Sequence, residues 1–303
     1  MKYVLLPVVL LMFSFDAIYA NDQPCPPQGY TDKQLLSLKN QEFVIEDDAE
    51  RNRLALALTA CVSSADPAIR DGVAFEGLST WLRGEALSNE TVLALLEDLS
   101  LQMMSTQDPN GFQQPFAALI LSEVARVDRV SPVFTEQQRD ELVTITATYL
   151  AGVSDYRGYS DDAGWRHGVA HASDLALQLT LNQNINASQL KSLLTAIAGQ
   201  VAADGEVSYI FGEPSRLARP VFYAWRRGLL SEEYWQTWFE SIVDPSPFES
   251  WGAVFSSESG LARRHNVLSF LTSLHLNVET VQEEGAVLFS TLIDQAIMSV
   301  LRG

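Results

Sequence analysis

Positive charge is scarce in this chain. Against 38 Asp and Glu it sets 20 Lys and Arg, a formal net charge of −18. Such an excess repels phosphate backbones and anionic lipid heads at range, which argues against nucleic acid and membrane surfaces as partners. Cysteine is almost absent. Cys25 and Cys61 are too far apart in sequence for a redox pair, and in an oxidising compartment they are expected to form one disulfide. Beyond the first twenty residues no apolar run approaches the roughly 20 residues needed to cross a bilayer. Strand patterning is also missing, apart from Glu206 to Phe211 between Gly205 and Gly212, which predicts a small hairpin or an extended loop. No low-complexity linker divides the chain, so residues 21–303 are expected to form a single domain.

The N-terminus is different in kind. Lys2 precedes the apolar run Val4 to Phe13, and Ala17-Ile18-Tyr19-Ala20 leads into the polar Asn21-Asp22-Gln23. A charged start, a short apolar core and a small residue at the cleavage point predict a secretory signal over residues 1–20. Its removal takes away Lys2 and Asp16, so the net charge is unchanged. The mature protein is then expected to be periplasmic or secreted, without membrane insertion. There the Cys25–Cys61 disulfide would staple the proline-rich arm Pro24 to Pro27 onto the first long helix.

Almost everything else reads as helix. Apolar residues recur at helical spacing in Leu54, Ala55, Leu58, Val62, in Val92, Leu95, Leu96, Leu99, Met103, and in the windows 116–127, 142–150, 190–201, 221–229, 267–276 and 281–301. About a dozen helices are predicted. Thr31-Asp32-Lys33-Gln34 and Thr135-Glu136-Gln137-Gln138 have the form of capping boxes. Pro67 and Pro214 stand where a helix begins, and Asp108 to Gly111 and Asp244 to Pro247 are turns. The pattern predicts an all-α fold of stacked antiparallel helix pairs, either a HEAT-like α-solenoid or an α/α toroid, with function on a concave face.

Two of the four histidines fall in one short segment, Tyr156 to Leu175. Read as a helix from about Ala163, it turns His167, His171, Asp174 and Gln178 into a stripe about 60° wide, with Val169, Ala172, Ala176 and Leu179 on the opposite side. Two histidines four apart with a carboxylate one turn on have the spacing of a divalent-metal site. The alternatives are a non-metal binding site and a polar face of hydrogen-bonded histidines. The glutamate base of the familiar zinc helix is missing, because Gly168 and Val169 follow His167. In the preceding loop Arg157, Tyr159, Asp161, Asp162 and Trp165 are of the types that line polar pockets, and Asp161 or Asp162 is placed to cap the helix.

Two further clusters stand out, Arg263-Arg264-His265-Asn266 and the arginines Arg216, Arg219, Arg226 and Arg227 among aromatics. Such arginines bind anionic ligands or tie helices together. The candidate pocket is thus Arg157, Tyr159, Asp162, Trp165, His167, His171 and Asp174, with His167, His171 and Asp174 as the metal alternative. A binding module for a small molecule, glycan or protein is the leading reading. The alternatives are a hydrolase, metal-assisted or acting on a glycan with Trp165 as sugar platform, and a scaffold without a small-molecule site. The glycan version requires a distant acid such as Glu76, Glu123 or Glu213 to reach the pocket.

The segment Gly164 to Leu175, with Tyr156-Arg157-Gly158-Tyr159 before it, resembles the signature of the bacterial domain-of-unknown-function family 2785. Asp66 to Asp71, Phe116 to Leu121 and Asn266 to Leu274 add weaker similarity, so that the resemblance runs from about Leu35 onward. It implies a helical-repeat fold and a shared site around Trp165, His167, His171 and Asp174, and no particular activity. The chain departs from the family in its secretion signal with the cysteine pair, and in Arg166, where a small residue is expected beside the pocket mouth.

Overall fold

The computed structural model describes residues 24–203 and 207–303. The expected signal segment and Glu206, the first residue of the strand-like run, lie outside them. Among the described residues the fold is helical apart from one two-stranded hairpin.

The chain starts with α1 (Asp32–Asn40), whose Thr31 capping box forms as the sequence predicts. After α2 (Asp48–Ala57) a 3-10 turn, Leu58–Ser63, carries Cys61, which is disulfide-bonded to Cys25. Then α3 (Pro67–Ile69) opens with proline behind its Asp66 cap and passes through a wide π-turn, Arg70–Phe75, into α4 (Glu76–Arg83). The regular helices α5 (Asn89–Met103), α6 (Gln113–Val130) and α7 (Glu136–Gly152) follow. The hairpin of β1 (Tyr159–Ser160) and β2 (Gly164–Trp165) interrupts the series before α8 (Gly168–Leu181), α9 (Ala187–Val201), α10 (Glu213–Arg226), α11 (Glu232–Ile242), α12 (Glu258–Glu279) and α13 (Ala286–Arg302).

The helices pack in two rows. In one, α4 meets α6, α6 meets α8, α8 meets α10 and α10 meets α12; in the other, α5 reaches α7, α7 packs on α9, α9 touches α11 and α11 meets α13. Each helix therefore lies beside the helix two places on, the neighbour relation of repeated helix pairs. One continuous core fills the space between, from Leu35 to Val300. Each fully buried Leu or Phe in it, such as Leu58, Leu95, Phe116 or Phe270, contributes about 1.5–3 kcal/mol.

Polar pins fix the rows where apolar packing leaves their spacing free. Asp128, almost wholly buried near the end of α6, accepts from Arg139 Nε at 2.7 Å and Nη2 at 2.8 Å, Asn182 Nδ2 at 2.8 Å, and the Val133 and Phe134 amides. Burial alone would raise this carboxyl, but these donors outweigh it and hold it below the ordinary range. The Arg263 to Asn266 cluster has a similar role. Asn266 accepts from the Tyr209 amide and donates to Val207 O, while Arg263 donates to Ala202 O and Asp244 O. The stretch from Val207 to Phe211 is thereby pinned on α12 as an extended loop, one of the two forms expected of it. No helix among the described residues is long and apolar enough to cross a membrane.

Candidate functional site

The hairpin sets the position of everything that follows it. Tyr159 pairs with Trp165 and Ser160 with Gly164. Gly164 is in the left-handed region at φ +71, and a Cβ there would stand 3.0 Å from Arg70 Nη2 and 3.2 Å from Pro67. At Gly158 a Cβ would fall 2.0 Å from the Phe211 ring, so only glycine lets Phe211 close on the hairpin. Underneath, Arg70 is fully buried. It donates to Ser64 O at 2.9 Å and Ala163 O at 2.8 Å, and its guanidinium sits 4.0 Å from the Phe112 ring centroid. One arginine thus ties the π-turn, α6 and the hairpin together.

The helix does not begin at Ala163. The Arg166 and His167 amides bond back to Gly158 O and Arg157 O, and His167 takes left-handed backbone at φ 62, ψ 40 as the N-cap of α8. Neither Asp161 nor Asp162 caps the helix; both are exposed in the hairpin turn. A non-glycine residue held at positive φ is uncommon and costs stability. Here it turns His167 toward His171, with ring centroids 5.6 Å apart. The histidine stripe is also not solvated. His167 and His171 are 8% and 7% exposed, because α6 and α10 pack against α8 on that side.

Burial decides the state of both rings. His171 Nδ1 lies 3.2 Å from Pro115 O; a carbonyl only accepts, so Nδ1 carries the proton and Nε2 is left as an acceptor. Burial, reinforced by the neighbouring His167, pushes its pKa down to about 3. His167 stacks on Trp165 at 4.7 Å and 24°, and burial, then Arg216, lowers it to about 4. Its buried Nε2 has no hydrogen-bond partner, since Glu213 Oε1 stands 3.6 Å away. Glu213 is raised by burial, so both members of this contact are pushed toward their uncharged forms.

The two histidines open onto a cavity of about 670 Å³. Trp165 and Asp174 line it with them, and so do Asp71 and Glu76 from the π-turn and α4, Glu123 from α6, Phe211, and Arg216 and Arg219 from α10. Four of the seven predicted pocket residues, Trp165, His167, His171 and Asp174, are thus brought together. The other three fall elsewhere. Arg157 pairs with Asp155 and reaches Asn110 O, Tyr159 packs against Trp165 with ring centroids 5.2 Å apart without lining the cavity, and Asp162 is exposed. Arg166 does not shape the mouth either; it donates to Asn110 O at 2.8 Å and covers Phe112.

The predicted metal set does not assemble. Asp174 is ion-paired with Arg216, His171 Nδ1 is spent on Pro115, and among the described residues no three His, Cys, Asp or Glu side chains are grouped to hold a metal ion. The distant acids need no movement. Glu76 and Glu123 already line the cavity, paired with Lys39 at 2.8 Å and with Arg83, and Glu213 backs His167. Asp71, 2.7 Å from Arg70, and Asp174 are both raised by burial against the pull of their arginines.

The family described as "Protein of unknown function (DUF2785)" matches residues 99–276, more than half of the chain. The chain belongs to the DUF2785 family. No curated protein and no solved structure matches it. The DUF2785 match is narrower than the resemblance running from Leu35. It holds the cavity residues of α6, the hairpin, α8 and α10, while Asp71, Glu76 and Arg83 lie ahead of it. Asp71 and Arg83, with Phe211, are what sequence reading missed as pocket residues. Glu123 carried the clearest signal, a lone carboxylate inside the apolar stretch 116–127.

Proposed function

We propose that the chain is a periplasmic or secreted binding protein that takes a hydroxyl-rich ligand, a glycan or glycan fragment, in the cavity walled by Trp165, His167, His171 and Asp174. The observation that carries this reading is a coincidence of costly features at one place. The left-handed His167, the π-turn at Arg70–Phe75, two desolvated imidazoles and two desolvated carboxyls all border the same cavity. Strained backbone, π-turns and displaced titrations concentrate where proteins act on ligands.

The chemistry of the walls supports the ligand class. Trp165 and Phe211 offer apolar ring surface to the C–H faces of a sugar. The ion-paired carboxylates and arginines and the bare His171 Nε2 offer acceptors and fixed donors to hydroxyls, which need both. The two rows of helices fit an open solenoid better than a closed ring, because α12 and α13 have no substantial packing on α1–α5 among the described residues. The Cys25–Cys61 disulfide suits an oxidising compartment.

Calorimetric titration of the mature protein with a panel of neutral and acidic oligosaccharides tests the reading. Binding by at least one, weakened tenfold or more by Trp165→Ala, is the expected result. No binding across the panel, or binding indifferent to Trp165→Ala, overturns it. A hydrolytic version is favoured by one observation, that Asp71 and Asp174 border the same cavity and burial raises both, as an acid partner in glycan cleavage requires. In that version Asp174→Asn abolishes release of new reducing ends. The binding-only version releases none to begin with.

A further inference from the structure

The cavity's charge can be accounted for group by group. Four carboxylates border it, Asp71, Glu76, Glu123 and Asp174. Each has its own cation: Arg70 for Asp71, Lys39 for Glu76, Arg83 for Glu123 and Arg216 for Asp174. One charged group on the cavity is left over. Arg219, exposed on α10, makes no ion pair or hydrogen bond with any described residue. It stands three residues after Arg216, hence on the same helix face, and its charge is felt by Asp174 without direct contact. The local balance of the cavity is therefore one unspent positive charge, in a chain whose net charge is −18.

Resting on the glycan reading above, we infer that the ligand carries a carboxylate and that Arg219 recognises it. A free guanidinium presents parallel N–H donors that match a carboxylate in a bidentate pair, stronger than either bond to a neutral hydroxyl. The acidity of the chain as a whole does not oppose this, since charges more than about 8–10 Å away are screened at physiological ionic strength. The arginine at the cavity is not screened from a ligand it touches. Arg219 is thus a specificity residue: the paired walls and Trp165 hold the sugar, and Arg219 selects acidic members of the class.

The test compares an oligouronide, its methyl ester and a neutral oligosaccharide of equal length on wild type, Arg219→Gln and Arg219→Lys, by calorimetry. The methyl ester removes the charge and little else. Wild type is expected to bind the acid about tenfold more tightly than the ester. Arg219→Gln should bind both as wild type binds the ester, and Arg219→Lys should keep part of the preference. Equal binding of acid and ester by wild type, or a preference that survives Arg219→Gln, overturns the inference while the glycan reading stands. If no saccharide binds at all, the glycan reading fails, and titration with glycolate decides the rest. Movement of the Arg219 Nε–H resonance then supports a carboxylate site independent of sugar, and an unmoved resonance overturns that as well.

Discussion

Replacing His171 by asparagine isolates the central claim about the buried imidazoles. Asparagine Nδ2 can still donate to Pro115 O in place of Nδ1, so the pin to α6 is kept and only the titrating ring is lost. In the unfolded chain a histidine takes its proton near pH 6.5; in the native protein His171 stays neutral to about pH 3 and His167 to about pH 4. Between those limits the unfolded state holds protons that the native state refuses. The contribution is therefore fully present above pH 6.5 and lost as pH falls, by about tenfold in the folding equilibrium per unit and per ring. From pH 7.5 to 4.5 each ring removes about 3 kcal/mol. Asp71, Asp174 and Glu213, raised by burial, act in the opposite direction as they take up protons before their unfolded counterparts, so the wild-type curve alone mixes the two effects. The difference between wild type and His171→Asn separates them. Urea unfolding at pH 7.5, 6.5, 5.5 and 4.5 should show the variant less stable at pH 7.5 by a fixed packing cost, with that deficit shrinking by about 3 kcal/mol at pH 4.5. A deficit constant across this range would mean that His171 titrates like a solvated histidine, and the description of a desolvated pair would be wrong.

Other perturbations reach different parts of the molecule. Gly158→Ala places a methyl group 2.0 Å from the Phe211 ring and should expel that ring from Trp165; a cost of about 1–3 kcal/mol in thermal unfolding, with quenched-state changes in Trp165 fluorescence, is expected. Cys25→Ala with Cys61→Ala opens a 36-residue separation and should cost about 3–4 kcal/mol by the chain-entropy relation, read as a lower urea midpoint matched by reduction of the wild type. Arg139→Met leaves Asp128 charged and buried and should destabilise by about 3–5 kcal/mol, while ligand affinity, measured below the unfolding transition, is unchanged.

The helices were legible because their signals are local. The Thr31 and Thr135 boxes, the prolines at 67 and 214, and the apolar stripes each specify a neighbourhood of a few residues, and each formed. The segment Tyr156 to Asp174 was legible as a cluster of residues that line one cavity and misread as a structure. Helical spacing from Ala163 is a true periodicity, but Gly164 at positive φ, Arg70 on Ala163 O and the return bonds to Gly158 and Arg157 impose a hairpin first. The Arg70 bond comes from 93 residues away and leaves no trace in the spacing of the segment itself. Helical spacing still placed the two rings together, because His167 caps the helix that carries His171. It erred on Asp174, whose spacing suits a metal but whose charge is taken by Arg216 from another helix. Ion pairs of this kind join residues far apart in sequence, as Arg83 does with Glu123 and Lys39 with Glu76, and spacing along one helix does not encode them.

The measurement that bears most directly on the account is a map of where a saccharide binds. Resonances of the Trp165 indole and the His167 and His171 rings can be followed as the tightest-binding oligosaccharide is added, alongside those of Tyr149, which lines a separate cavity of about 320 Å³. Saturable shifts are expected at Trp165, His167 and His171, with Tyr149 unmoved. Shifts confined to Tyr149 and its neighbours, or none at any of the four, would contradict that expectation.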